Sequence, residues 1–152
     1  MSKTATLLVT EADEASAVLA DVDDGPVHAL SSNPGLSAGE AIAATIDPDP
    51  PLEVTWSIAA IDDRWRVSIE AVSEAPTAAD RDVAADLDPG EIARPDPGDS
   101  EARHVLAVPP ERTEAAVDDV RTDEGTRRRA ARLGASRVEI RGEAGVVSVR
   151  YL

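Results

Sequence analysis

The chain has 152 residues and carries 30 Asp and Glu against 14 Arg and one lysine, Lys3, for a formal charge of −15. It holds no cysteine, no phenylalanine, one tyrosine and two tryptophans, which excludes disulfides, a thiolate nucleophile, thiolate metal sites and a core built on aromatic rings. A chain of this length forms one domain or two small ones, with burial carried by Val, Ile, Leu and Ala.

Residues 4–72 alternate apolar and polar side chains with turn residues at short intervals, the pattern of an antiparallel meander or small barrel. Strands are predicted at 4–10 and 16–22; Asp23-Asp24-Gly25 supplies the positive φ of a tight hairpin, and 27–30 is the returning strand. Ser31-Ser32-Asn33-Pro34-Gly35 reads as a loop. Gly39-Glu40 leads into a strand through Ile42, Ala44 and Ile46, and 47–51 interrupts the ladder because proline cannot donate to it. Two further strands are predicted, one presenting Leu52, Val54, Trp56 and Ile58 on a single face, the next Trp65, Val67, Ile69 and Ala71.

Composition shifts at Ser73. Thr77 with Asp80 three residues on resembles a helix cap, and 78–87 carries helix formers with Val83 and Leu87 one turn apart. Asp88-Pro89-Gly90 ends this helix, and 94–100 reads as an exposed linker. A strand follows at 104–108; Pro109-Pro110 suits a first helical turn, and a helix over 111–121 buries Ala116, Val117 and Val120. Thr122 caps a second helix, with Asp123 and Glu124 in its first turn, that stops at Leu133-Gly134. Residues 138–141 and 146–151 form a hairpin. The expected fold is α+β: a small antiparallel β-barrel-like meander over 1–74, a helix and Pro/Gly/Asp-rich linker over 75–101, and a β-α-α-β-β unit over 102–152.

Few residues suggest chemistry. Trp56 and Trp65 could stack bases, but parity sets both beside Val54, Ile58, Val67 and Ile69, so they are read as core. His28 falls out of phase with Val27 and Ala29, and His104 opens a strand; neither has a His, Asp or Glu at metal-ligand spacing. The carboxylate pairs Asp23-Asp24, Asp62-Asp63 and Asp118-Asp119 are read as hydrated surface in so acidic a chain. Ser31-Ser32 lacks the Gly-x-Ser-x-Gly context of a nucleophile elbow, and there is no Gly-rich phosphate loop. No catalytic residue, metal or cofactor is expected, and the chain is read as a non-enzyme.

Residues 127–152 reverse the charge: Arg127, Arg128, Arg129, Arg132, Arg137, Arg141 and Arg150 outweigh Glu139 and Glu143 for a net of +5, leaving −20 on the first 126 residues. Arginine on a helix and on the strands it packs against suits a phosphate-binding face. The carboxylates elsewhere are scattered instead of gathered in one tail, as expected of a surface adapted to concentrated salt. In that solvent five phosphate contacts lose roughly a millionfold in affinity between about 0.15 M and about 3 M salt, and screening reaches only about 3 Å or less. The Arg face must then act by bidentate geometry at close range, or pair with the acidic part of its own chain or of a second copy.

The runs Leu8-Val9-Thr10 with Ala12-Asp13, Val27-His28-Ala29-Leu30-Ser31-Ser32-Asn33-Pro34-Gly35-Leu36, Glu53-Val54-Thr55-Trp56, Arg112-Thr113-Glu114-Ala115-Ala116-Val117 and Val147-Ser148-Val149-Arg150-Tyr151 resemble a small family of uncharacterised haloarchaeal proteins. The resemblance spans almost the whole chain. It implies salt adaptation and no activity, that family being a domain of unknown function. Residues 1–10 lack a long apolar signal region and no window approaches 18 apolar residues, so a soluble cytoplasmic protein without membrane association is expected. The expected function is a non-enzymatic macromolecule-binding or adaptor module, its Arg face meeting a protein or RNA, with Ser31, Ser32, Asn33 and Gly35 as a candidate loop. A small hydrolase using carboxylates with His28 or His104 is one alternative. A structural homodimer pairing the Arg face with acidic surface is the other.

Overall fold

A computed structural model of the chain describes residues 1–23, 25–95 and 102–152. Asp24, in the predicted hairpin turn, and residues 96–100 of the predicted linker lie outside the described residues. Among the described residues the fold is α+β and mostly strand, with two five-stranded sheets and three α-helices.

Strands β1 (Lys3–Ala12), β2 (Ala17–Asp21), β3 (Val27–Ala29), β4 (Glu40–Pro48) and β5 (Trp56–Arg66) form the first sheet in the order β3-β2-β1-β4-β5, every pair antiparallel. Central β1 is buried by its neighbours, and Leu7, Val9, Leu19, Leu30, Ile42 and Ile46 make an aliphatic core with no aromatic ring at its centre. Ladder pairing leaves the sheet open, so it is not a closed barrel. One isolated parallel bridge joins Leu30 to Trp56, where the Ser31 N–H donates to the Trp56 carbonyl at 3.0 Å.

Where two separate strands were predicted after residue 51, β5 is a single strand running through Asp62, Asp63 and Arg64. As an edge strand it has a solvated side, so charged residues need not end it. Register shifts opposite Ala43/Ala44 and Thr45/Ile46 bend it. Pro48 does not interrupt β4 either, since it pairs opposite Trp56 at the strand's end. Leu52 and Val54, predicted to face the core, are exposed in the connecting loop, which the Asp49 N–H closes onto the Thr55 carbonyl at 2.8 Å.

The second sheet contains β6 (Ser68–Ala71), β7 (Ile92–Ala93), β8 (Arg103–Ala107), β9 (Arg137–Glu143) and β10 (Val146–Tyr151), in the order β6-β9-β10-β8-β7. Only β6–β9 is parallel among its pairs. Ile69 and Ala71 therefore belong to this sheet and not to the meander. Helix α1 (Ala78–Ala85) starts as predicted, the Asp80 N–H donating to the Thr77 hydroxyl at 3.2 Å, but turns Asp80 and Ala84 inward instead of Val83 and Leu87. A 3₁₀ turn over Pro110–Arg112 leads into α2 (Thr113–Thr122). Helix α3 (Glu124–Arg132) is capped by Asp123, not Thr122: the Asp123 carboxylate accepts the Gly125 N–H at 3.1 Å.

Two compact units result, Met1–Val67 with Ala131–Ser136, and Ser68–Ala130 with Arg137–Leu152. Among the described residues no helix is long and apolar enough to cross a membrane.

Candidate functional site

The arginines of the charge reversal divide by what they touch. Arg137 contacts Glu70 and Glu139 at 3.3 and 3.2 Å, and Arg141 contacts Glu74 and Glu139 at 2.9 and 2.7 Å. Arg150 reaches one oxygen of Asp80 at 3.3 Å while Arg103 holds the other at 2.8 Å. Asp80 is fully buried. Burial opposes its ionisation, but the Thr77 hydroxyl, Arg150 and Arg103 together hold its pKa below the ordinary carboxylate value. Three of the seven arginines thus serve carboxylates of their own unit. Arg127 and Arg128 are half-buried on α3 and engaged as well, and Arg132 is exposed at its end.

The candidate loop holds itself together. The Asn33 amide donates to the Asp13 and Leu36 carbonyls at 2.7 and 3.0 Å, and its oxygen accepts the Gly35 and Leu36 N–H groups. Ser31 bonds the Trp56 carbonyl and lies against Ser57. Gly35 has φ +105, a backbone that disfavours side chains, and its carbonyl accepts from Arg64. Ser32 is exposed.

His28 corrects the parity argument: it points inward and Val27 outward. Its Nε2 lies 3.0 Å from Lys3 Nζ, an ammonium that can only donate, so the ring accepts there and is neutral. Lys3 in turn pairs with buried Asp21 at 2.8 Å. Burial first and then Lys3 lower the His28 pKa, against the opposing pull of Asp21. The ring meets Trp56 edge-on, with centroids 4.7 Å apart. This is a satisfied structural cluster.

A cavity of about 400 Å3 in the second unit brings together residues that the sequence scatters. Arg94 comes from the chain after β7, His104 from β8, Tyr151 from β10 and Arg129 from α3; Asp119 and Asp123 come from α2 and the turn beyond it. Arg129 donates to the Tyr151 hydroxyl at 3.0 Å, which fixes the guanidinium, and the Tyr151 ring meets His104 edge-on with centroids 5.3 Å apart. Burial, with Arg129 and Arg94 adding to it, pushes the His104 pKa down to about 4, so the imidazole is neutral at neutral pH. Among the described residues neither Arg94 nor Arg129 forms an ion pair with a carboxylate, and His104 has no hydrogen bond to one. Asp123 is occupied at the α3 cap, donated to by Thr126 at 3.3 Å as well as by Gly125. Ile92, Leu106, Val120 and Val149 supply an apolar wall.

Of this cavity the sequence had flagged His104 and Arg129 for separate reasons. Arg94 sat in a presumed linker because a two-residue strand such as β7 carries no periodic signal. Tyr151, the chain's one tyrosine, was the available clue, since a buried phenol needs a polar partner. Among the described residues no group of three or more His, Asp or Glu could hold a metal ion.

In comparison with known proteins, the model of a family described as "Family of unknown function (DUF5812)" matches residues 3–142. No curated protein and no solved structure matches the chain.

Proposed function

We propose, for a chain that belongs to this family of unknown function, a non-enzymatic binding module that takes an anionic group of its ligand, a carboxylate or a phosphate, in the cavity of the second unit. One observation carries the reading. In a chain with twice as many acids as bases, Arg94 and Arg129 converge on a cavity without an ion pair to a carboxylate among the described residues. A guanidinium already aimed by a phenol, as Arg129 is by Tyr151, loses little freedom when it takes up a planar anion. Such geometry acts at contact distance and so tolerates molar salt, where long-range attraction does not.

Neutral His104 suits binding better than catalysis. An imidazole with a pKa of about 4 is a weak general base at neutral pH, and no carboxylate orients it among the described residues. The expected macromolecular face built on Arg127, Arg128 and Arg132 has less support, because Arg137, Arg141 and Arg150 are committed to carboxylates. The scattered acidic surface supports a salt-adapted, cytoplasmic protein of haloarchaeal type. The Leu30–Trp56 bridge between the edges of the first sheet supports a barrel-like scaffold there.

Titration of the labelled protein with 4-methylpentanoate and with phosphate in molar KCl, followed by amide chemical shifts, tests the site. Arg94→Gln and Arg129→Gln should each weaken binding of the preferred anion about tenfold, and Arg127→Ser with Arg128→Ser and Arg132→Ser should leave it unchanged. Binding that survives both glutamine variants and fails in the triple serine variant returns the function to the α3 face.

A further inference from the structure

Resting on that anion site, we propose that its ligand is a small zwitterion with an aliphatic body, of the size and charge of a free aliphatic α-amino acid. The cavity carries both signs of charge. Arg129, held by the Tyr151 hydroxyl at 3.0 Å, and Arg94 line it with His104. Asp119, on a different element, lines the same cavity with an exposed carboxylate that has no side-chain partner among the described residues. Its neighbour Asp118 is paired with Arg121 at 3.0 Å and Asp123 is held at the α3 cap, so Asp119 is the lining carboxylate left to meet a ligand.

An aliphatic wall of Leu106, Val120 and Val149 accompanies these charges, with Ile92, itself 48% exposed, at the same cavity. A ligand that is only an anion leaves Asp119 and this wall unused, and one that is only apolar strands both guanidinium groups. A cavity near 400 Å3 is at the small end of ligand sites. It suits a compact molecule better than a nucleotide.

Four probes separate the possibilities: L-leucine, 4-methylpentanoate (the same body without the ammonium), 3-methylbutylamine (no carboxylate) and inorganic phosphate. Each is titrated into the full chain in molar KCl by calorimetry and amide shifts. Leucine is expected to bind roughly tenfold more tightly than 4-methylpentanoate, and the amine and phosphate more weakly than either. Asp119→Asn, at an exposed position that leaves folding intact, should erase the leucine preference and keep the affinity for 4-methylpentanoate. Equal binding of leucine and 4-methylpentanoate, or a preference that survives Asp119→Asn, overturns the zwitterion and leaves the anion site standing. Tighter binding of phosphate also overturns it, in favour of a phosphorylated ligand. Failure of every carboxylate probe, with phosphate silent too, removes the anion site itself.

Discussion

Asp80 is the residue whose environment departs most from its reading as a helix-cap position. Its backbone does take part in the cap, yet its side chain is fully buried between Arg103 and Arg150. Removing one member of such a cluster strands the others, so Asp80→Asn should destabilise the fold by about 3 kcal/mol in urea titration. The half-exposed Arg81–Glu143 pair is the contrast: Arg81→Gln should cost less than about 0.5 kcal/mol. His104 gives a pH prediction. Its unfolded imidazole takes a proton near 6.5, the folded one only near 4. Between those values the unfolded chain binds the extra proton, so the stabilisation is full above about 6.5, declines as pH falls and is gone below about 4, amounting to roughly 3 kcal/mol at most. The difference in unfolding free energy between wild type and His104→Asn should shrink over that window; a difference flat with pH would mean that the ring is not held neutral by the fold. Neither environment was legible in the sequence. Local spacing reports the period of an element, whereas the partners of Asp80 and His104 come from strands and helices far along the chain, and His28 shows that a three-residue strand is too short for parity to fix which way a side chain points.

Element by element, β1, β4, β9, β10 and all three helices were legible, the strands from their alternation and the helices from caps, stops and helix formers. The misread segments share a cause. In β5, Asp62-Asp63 reads as hydrated surface between two strands, but an edge strand with a wet side carries no alternation to read; two-residue β7 cannot show one. The β9–β10 hairpin was foreseen and its turn allows a test with opposite signs. Ala144 has φ +45 and Gly145 φ +91, and a Cβ added to Gly145 would sit 2.9 Å from the Val108 carbonyl oxygen, a backbone atom that cannot step aside. The Gly145 N–H also donates to Thr113 at 2.8 Å and its carbonyl accepts from Val108 at 2.9 Å, so the turn ties the sheet to the start of α2. Gly145→Ala should therefore destabilise by about 2 kcal/mol or more, while Ala144→Gly, which relieves a strained left-handed residue, should stabilise by about 1 kcal/mol. Thermal denaturation of both variants checks the pair, and a loss of similar size at both positions would point to loop entropy in place of backbone geometry.

The two units carry nearly equal net charge, −8 and −7, but differ in how much of it is paired, and this governs how the molecule should answer salt. Residues 1–67 hold twelve carboxylates against three cations, of which Lys3 and Arg64 are paired, with Asp21 and Glu40. The second unit carries most of the ion pairs, including the buried one at Asp80. Repulsion is therefore relieved least where pairing is sparse, and the first unit's core is aliphatic at its centre, with Trp56 packed only at its margin. At about 3 M salt the screening length falls to about 2 Å, which silences repulsion between surface carboxylates and leaves close pairs largely intact. Raising KCl from roughly 0.2 M to 3 M should then stabilise the first unit more than the second. The aromatic residues report the two separately, because Trp56 and Trp65 lie in the first unit and Tyr151 in the second. Tryptophan fluorescence should lose its native signal in urea at a concentration that climbs steeply with KCl, while the near-ultraviolet dichroism of Tyr151 moves less. The second unit's pairs are satisfied at contact distance, so its weaker response follows from the same screening length that rescues the first. A tryptophan transition indifferent to KCl would mean that the scattered carboxylates impose no strain, and the reading of this surface as built for brine would fall with it.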